Sequence, residues 1–293
     1  MSTSRFLQGG VSFFLASLIL LLCGCGGGAK PNTQADGGKP ADAPAAGGDT
    51  LARIKSTKVI KWGADKEGGA PFVYVDKTDK VVGFESEIME KLAAHMGVKP
   101  ELVSTTWDGL LDNMVAKRTD MVMNGIEVNE ERAKVVSFSA PYYLYEQQLT
   151  VRAEDKDKYK TLEDLKGKKI GTLNGAEANN VLTKAGFTQD QIVGHADSLT
   201  PYDNLLVKRV DAVLQESIIA AHYAASNPKL FNVPQTFSPG KYAVAVRKED
   251  KALLEEVNRI LDVMKENGEL AEIYKKWNIM NDKQQEVGIK EKK

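Results

Sequence analysis

The sequence predicts an α/β fold of two lobes, each a mixed sheet flanked by helices. Short apolar segments alternate with segments whose apolar residues recur at helical spacing, which is typical of β/α units. The alternation occurs in two successive blocks, over residues 59–123 and 161–214. Two sheets in a chain of this size indicate two lobes.

The first block contains strands and helices in regular alternation. Its clearest helix places four apolar residues on one face and stops at Gly97, a residue that favours helix ends. The expected elements are a strand at Val59–Ala64, a helix at Glu85–Met96, a strand at Leu102–Thr105, a helix at Gly109–Ala116 and a strand at Met121–Met123.

The second block repeats this order, and a helical tail follows it. Thr161 and Asp164 have the spacing of a capped turn at its start. The expected elements are strands at Lys169–Leu173, Ala212–Leu214 and Tyr242–Val246, and helices at Glu177–Ala185, Lys251–Glu266 and Leu270–Trp277.

The first 25 residues have the pattern of a secretory signal. Arg5 supplies a basic start, and Val11–Leu22 is an apolar run shorter than the roughly 20 residues that span a bilayer. The end of the run resembles the lipobox of bacterial lipoproteins. Gly24 is the small residue required before Cys25, whereas Leu22 suits Cys23 poorly, so we expect lipidation at Cys25 and anchoring to a membrane.

Residues 26–50 predict a flexible tether. Sixteen of the 24 residues in Gly26–Asp49 are Gly, Ala or Pro, and such a segment has a root-mean-square reach of about 27 Å. Removing residues 1–25 takes away only Arg5, so 38 basic residues face 40 acidic ones. This balance gives no indication of nucleic-acid binding, and the absence of cysteine after Cys25 excludes a disulfide framework.

Arg132 stands where helix electrostatics disfavour a cation. Asn129 is a good helix cap, and Glu130 and Glu131 suit the positive end of the helix dipole, but Arg132 falls in the same first turn. An arginine beside exposed helix amides is a ready receptor for a carboxylate. Arg132 is therefore a candidate binding residue.

Further polar residues follow the predicted strands. Ligands of α/β sheets bind beyond the carboxyl ends of the strands, so residues at these positions are candidates. They are Asp65 after the first strand, Asn124, Gly125 and Glu127 after the third, Asn174, Gly175, Ala176 and Glu177 in the second block, and Gln215 and Glu216 after Leu214.

Several motifs together resemble the polar amino acid family of extracellular solute-binding proteins, which serve bacterial ABC importers. The resemblance covers about Thr57 to Ile279. The motifs are Gly83–Phe84, Trp107–Gly109, Asn124–Arg132, Phe138–Ser139, Pro141–Tyr143, Leu162–Lys169, Asp211–Val213 and Glu266–Trp277.

This resemblance implies a two-lobed periplasmic-binding-protein-like fold of type II, whose lobes close on a free amino acid. Two hinge strands would join the lobes, at residues 142–146 and 238–242. Lobe 1 would comprise residues 51–141 with 243–293, and lobe 2 residues 147–237. We expect a monomer in the cell envelope, lipid-anchored and facing the periplasm or cell exterior, which delivers its ligand to ABC permease subunits.

The resemblance also assigns roles to the candidate residues. Arg132 matches the arginine that clamps the ligand carboxylate, and Gly125 the position whose backbone faces the ligand. Glu216 matches the acid that binds the α-ammonium group, Trp107 an aromatic wall, and Asp65 a contact to polar or cationic side chains. The expected ligand-binding set also includes Asn124, Glu127, Ala176, Glu177 and Gln215.

This chain departs from the family pattern at three places. Glu127 stands where the family usually has Ser or Thr, and Asn174–Glu177 lacks another hydroxyl. Gly68 and Gly69 replace an aromatic residue before Pro71. Three acids, Asp65, Glu127 and Glu216, would then face one base, which a cationic ligand would balance. This motivates the hypothesis that the ligand is lysine, arginine, ornithine or a similar amino acid.

Two other functions remain open from the sequence. A cyclohexadienyl dehydratase-like enzyme could use Glu216 or Glu127 as a general acid, and an assay with prephenate or arogenate would reveal it. A ligand-sensing receptor domain is the second, which adjacent permease and ATPase genes would argue against. We expect no enzyme, no cofactor and no metal, because the three histidines are far apart and no catalytic or metal-binding spacing is present.

Overall fold

The computed structural model describes residues 49–67, 69–224 and 227–291. The predicted signal peptide, Cys25 and all but the last two residues of the predicted tether lie outside the described residues. The first helix, α1 (Thr50–Thr57), begins within the predicted tether because the Asp49 side chain accepts a hydrogen bond from the Leu51 N–H at 3.0 Å. Within the described residues, no helix is both long and apolar enough to cross a bilayer.

The first lobe is built on a mixed five-stranded sheet. Its order is β4-β1-β5-β12-β6, in which β12 (Ala245–Arg247) comes from the later part of the chain. Strand β1 is parallel to β4 and β5, and β12 is antiparallel to β5 and β6. The elements, in chain order up to the first crossing, are β1 (Val59–Ala64), β2 (Tyr74–Val75), β3 (Val81–Val82), α2 (Phe84–Met96), β4 (Lys99–Ser104), α3 (Leu110–Val115), β5 (Met121–Val122), α4 (Glu130–Val135) and β6 (Val136–Phe138).

A second mixed sheet forms the other lobe. Its order is β11-β7-β10-β8-β9, with β8 parallel to its two neighbours and β7 antiparallel to β10 and β11. The elements are β7 (Tyr143–Arg152), β8 (Ile170–Leu173), α5 (Glu177–Lys184), β9 (Ile192–His195), α6 (Thr200–Leu206), β10 (Ala212–Glu216), α7 (Ser217–Ala224) and β11 (Leu230–Tyr242).

The chain then returns to the first lobe through β12 (Ala245–Arg247), α8 (Lys251–Glu266) and α9 (Glu269–Lys276). The two passages between the lobes run side by side, because Tyr143 pairs with Tyr242 and Tyr145 with Gly240 at the ends of β7 and β11. The predicted hinge segments fall on this paired stretch.

A cluster of tyrosines packs around β7 and β11 where these two strands pass between the lobes. The rings of Tyr145 and Tyr242 stack with centroids 4.5 Å apart, and Tyr143 packs edge-on against Tyr274 at 5.2 Å. Tyr142, Tyr242 and Tyr274 are fully buried. One apolar core therefore continues from the first lobe through the crossing into the second.

Most expected elements are present, and the differences have local causes. The predicted strand at Tyr242–Val246 is two strands, because Tyr242 pairs with Tyr143 in β11 while β12 starts at Ala245. The strand predicted at Leu102–Thr105 is β4, which starts earlier, at Lys99. It includes Pro100, because β4 lies at the edge of the sheet, where a missing N–H is tolerated. Helix α7 was not predicted, because its consecutive buried residues Ile218–Ala220 show no helical periodicity.

Candidate functional site

The candidate site lies where loops from both sheets meet. The turn after β5 supplies Asn124 to Asn129, and α4 supplies Arg132. The second sheet supplies the turn between β8 and α5, and the carboxyl end of β10. A cavity at this junction is lined by the predicted residues Asp65, Trp107, Asn124, Gly125 and Glu216.

Arg132 joins the two lobes. Its Nη1 donates to the Glu127 carbonyl oxygen at 3.0 Å and forms an ion pair with the Glu127 carboxylate. Its Nη2 donates to the Gly175 carbonyl oxygen, in the second lobe, at 3.0 Å. The guanidinium carbon also lies 5.4 Å from the ring centroid of Trp107, within cation–π range. Arg132 therefore has protein partners on both sides of the junction.

Glu127 is the residue that pairs with the guanidinium group of Arg132. Its residue is fully buried, and its backbone forms a β-bridge with Tyr242. The carboxylate Oε1 accepts a hydrogen bond from the Glu177 N–H at 3.1 Å, at the first residue of α5. Burial acts to raise the pKa of this carboxyl group, but Arg132 and the hydrogen bonds outweigh it and hold the pKa below its ordinary value. Glu127 is therefore ionised.

Glu216 lies beside Glu127 in the opposite protonation state. The residue is 4% exposed, and its Oε2 has no hydrogen-bond partner within the part of the chain that the structure describes. Burial, followed by the charge of Glu127, raises the pKa of Glu216 well above its ordinary value. Because the two pKa values shift in opposite directions, Glu216 carries the proton and Glu127 carries the charge that Arg132 compensates, so the two acids and Arg132 are together neutral.

Asp65 and Asn124 form the first-lobe side of the cavity. The Asp65 N–H donates to Asn124 Oδ1 at 2.7 Å, which fixes the loop after β1 against the loop after β5. The Asp65 carboxylate accepts from the N–H groups of Glu67 at 3.0 Å and Trp107 at 3.2 Å. These contacts place the predicted acid and the predicted aromatic wall next to each other.

Gly125 allows an aromatic side chain to reach the cavity. Its φ is +64°, and a Cβ built on it would lie 2.7 Å from Cε1 of Phe72. Phe72 lines the cavity, although the sequence analysis did not select it. It supplies an aromatic wall just after Pro71, while Gly68 and Gly69 precede that proline. An aromatic residue immediately after Pro71, where the expected one before Pro71 is missing, is the signal that could have identified it.

Five predicted residues are not part of the cavity lining: Glu127 and Arg132, described above, and three others. Gln215 faces the opposite side of β10 from Glu216, because side chains alternate along a strand. Ala176 occupies the cap position of α5 and is buried. Glu177 contacts Glu127 through its N–H, and its carboxylate accepts from Asn180 Nδ2 at 2.9 Å.

Glu85 is a buried acid near the site that the sequence analysis missed. Its Oε1 accepts hydrogen bonds from the Gly125 N–H at 2.8 Å and from the Tyr142 hydroxyl. Burial raises the pKa of Glu85 to about 8, although these two hydrogen bonds act to lower it. An acid in the first turn of a helix is ordinary in sequence, so only its burial distinguishes it.

The site has no metal-binding arrangement: across residues 49–67, 69–224 and 227–291, no three His, Cys, Asp or Glu side chains are grouped to hold a metal ion. What the site offers is one partly exposed arginine, several acids and two aromatic walls around a small cavity. Such a set can bind a small polar solute by charge and by ring contacts.

Two α/β lobes joined by paired strands, with a polar cavity between their strand ends, define a two-lobed solute-binding protein. The chain belongs to the bacterial extracellular solute-binding proteins, family 3, whose family model matches residues 60–280.

Named relatives share most of this region. The chain is 34% identical over 208 residues to the L-cystine-binding protein of Escherichia coli K12, covering 71% of this chain and 78% of that protein. It is 32% identical over 221 residues to ABC transporter arginine-binding protein 1 of the same strain, covering 71% and 86%. A crystal structure of a mutant of ArgBP from T. maritima superimposes with a TM-score of 0.72 at 32% identity, covering 78% and 99%. These relatives carry the names of binding proteins.

Proposed function

We propose that this protein is the membrane-tethered solute-binding protein of an ABC importer. It captures a cationic amino acid by closure of the two lobes and delivers it to the permease. The relatives named for L-cystine and for arginine support an amino-acid ligand class. Lipidation at Cys25 would hold the protein at the membrane, facing the periplasm or cell exterior, where the residue 26–50 tether allows it to reach a permease.

The single observation that carries the cationic assignment is that two acids and, within the described residues, no lysine or arginine line the cavity. The acids are Asp65 and Glu216, while Arg132 lies outside the lining and is already paired with Glu127. A positively charged ligand group beside Glu216 would lower the pKa of its carboxyl group, so that the proton leaves and the resulting carboxylate pairs with the ligand. Trp107 and Phe72 then cover the apolar part of the ligand.

Calorimetric titration of the purified protein with each of the twenty amino acids and ornithine tests this proposal. We expect measurable binding of arginine, lysine or ornithine, and weaker or no binding of aspartate and glutamate, which would add a further negative charge to the acids. Tight binding confined to neutral or acidic amino acids would contradict the cationic assignment while leaving the importer role in place.

A further inference from the structure

The first crossing between the lobes has a free strand edge at Leu144. In the antiparallel pair of β7 with β11, Leu144 lies opposite Lys241. The Lys241 carbonyl oxygen accepts a hydrogen bond from the Val128 N–H at 2.9 Å, so it points away from β7. Leu144 and Lys241 are thus a pair without mutual hydrogen bonds, and the Leu144 N–H and C=O point to the other edge of β7. On that edge, β10 pairs with residues 147–150, further along the strand.

The side-chain amide of Gln284 occupies this edge. Gln284 is fully buried and lies in a short 3-10 helix at Asp282–Val287. Its Oε1 accepts from the Leu144 N–H and its Nε2 donates to the Leu144 carbonyl oxygen, each at 2.9 Å. The same Nε2 donates to Asn281 Oδ1 at 3.1 Å, which orients the amide. One side chain therefore supplies the two hydrogen bonds that a neighbouring strand would supply.

The segment that carries Gln284, residues 279–290, is fixed to the first lobe at both ends. At its start, the Ile279 N–H donates to the Tyr274 carbonyl oxygen, on α9, at 2.9 Å. At its end, the Lys290 N–H donates to the Lys265 carbonyl oxygen, on α8, at 3.2 Å. Because α8 and α9 pack in the first lobe, the segment moves with that lobe.

Two further contacts tie the first crossing to this segment. The Tyr143 hydroxyl donates to the Ile279 carbonyl oxygen at 2.8 Å, and Lys283 forms an ion pair with Glu146. The crossing is therefore held on the first lobe as far as Glu146. Its next residue, Gln147, already pairs with β10 of the second lobe. This leaves the step from Glu146 to Gln147 as the place where the crossing can bend.

We propose that Gln284 is a positioning residue for lobe closure. Through the backbone of Leu144 it holds the first crossing on the first lobe and confines the bend between the lobes to the start of the β10 pairing. The inference rests on the proposed function for the choice of ligand, whereas the contact of Gln284 with the crossing is independent of it.

Loss of this contact weakens ligand binding. A released crossing gains conformational freedom, and it gains more in the open state than in the closed state, where the lobes also hold each other. A smaller fraction of the protein is then closed, and the apparent dissociation constant rises in proportion.

Gln284→Met tests the proposal, because methionine keeps the length of the side chain and removes both hydrogen bonds to Leu144. The matched control is Gln285→Met, the same replacement at the exposed neighbouring residue. Calorimetric titration with arginine, lysine and ornithine measures binding, after thermal melting has shown that each variant is folded. We expect the dissociation constant of the bound amino acids to rise about threefold or more in Gln284→Met and to be unchanged in Gln285→Met.

Hydrogen exchange of the Leu144 amide, followed by NMR, gives a readout without ligand. In the wild type this amide should exchange slowly with and without an amino acid present, because its acceptor belongs to the same lobe. In Gln284→Met it should exchange about tenfold faster or more. Exchange of this amide in the ligand-free wild type at the rate of an unfolded chain would overturn the proposal, even if the variant did not fold.

The outcomes distinguish this inference from the proposed function. An unchanged dissociation constant in folded Gln284→Met overturns the role of Gln284, because a merely structural contact lowers the melting temperature alone. If none of the three amino acids binds the wild type, the cationic assignment fails. In that case a slowly exchanging Leu144 amide that is released in Gln284→Met still supports the positioning role.

Discussion

Glu85 places a carboxyl group in the interior of the first lobe, where its hydrogen-bond partners within the described residues are the Gly125 N–H and the Tyr142 hydroxyl. Its Oε2 is buried and has no hydrogen-bond partner within the described residues. Because burial raises the pKa of Glu85 to about 8, the folded protein keeps this carboxyl group protonated near neutral pH.

This protonation makes stability depend on pH. Below about pH 4.5 the Glu85 carboxyl group is protonated in both the folded and the unfolded chain, and its contribution to stability is complete. Between 4.5 and about 8 only the folded chain holds the proton, so the free energy of unfolding falls as pH rises, by up to roughly 1.4 kcal/mol per pH unit. Above about 8 the contribution is lost.

Glu85→Gln, which mimics the protonated acid, should flatten this dependence. Urea denaturation of the wild type and the variant from pH 5 to 9 measures it, and the difference between the two curves removes the contributions of other groups. We expect the variant to gain stability relative to the wild type as pH rises. Parallel curves would show that Glu85 is ionised in the folded protein at neutral pH.

Arg132 illustrates what a single residue in a sequence can and cannot predict. Its position after Asn129 and two acids predicted a carboxylate receptor, and the structure places its guanidinium beside a carboxylate. The identity of that carboxylate could not be predicted. Glu127 reaches its second donor at Glu177, 50 residues later, so the contact depends on how the two lobes approach each other.

Helix α4 is a short element whose stability depends on its cap. None of its six residues is buried, so packing contributes little, and the Asn129 side chain supplies a hydrogen bond to the Arg132 N–H at 2.9 Å. The same cap therefore fixes the start of the helix and the backbone of the residue that carries the guanidinium.

Asn129→Ala should lower the free energy of unfolding by about 1 kcal/mol, the usual value of such a cap. Asn129→Ser is the control, because a serine hydroxyl can still cap the helix. It cannot replace the 3.4 Å contact of Asn129 Nδ2 with the Glu177 carboxylate. Urea denaturation of both variants measures the effect. Equal losses in the two would assign the effect to the contact with Glu177 and not to the cap.

The elements that the sequence predicted well are those with one clear apolar face. Helix α8 occupies the predicted range Lys251–Glu266, and α2 ends at the predicted Gly97. Helix α7 and the three-residue strand β6 lack such a face or are too short for periodicity to be measured. Their structure depends on the neighbouring strands, which no local pattern contains.

Three hydrogen bonds between described residues connect the two lobes at the candidate site. The Glu177 N–H donates to Glu127 at 3.1 Å, Arg132 to the Gly175 carbonyl oxygen at 3.0 Å, and Asn129 to Glu177 at 3.4 Å. The chain's own groups thus hold the lobes together at the proposed ligand site. A ligand favours the closed arrangement only by the contacts it adds to these.

The attachment of the whole molecule to a membrane is predicted to depend on one thiol. Gly24 before Cys25 fits the lipobox, while Leu22 before Cys23 does not. In the native host, Cys25→Ser should therefore move the protein from the membrane fraction to the soluble envelope fraction, because the acyl chains that anchor it are absent. Cys23→Ser is the matched control and should remain with the membrane. Fractionation followed by immunoblotting measures the distribution, and calorimetry should show unchanged ligand affinity, since 24 residues separate Cys25 from the first helix at Thr50. Retention of Cys25→Ser in the membrane fraction would place the anchor elsewhere.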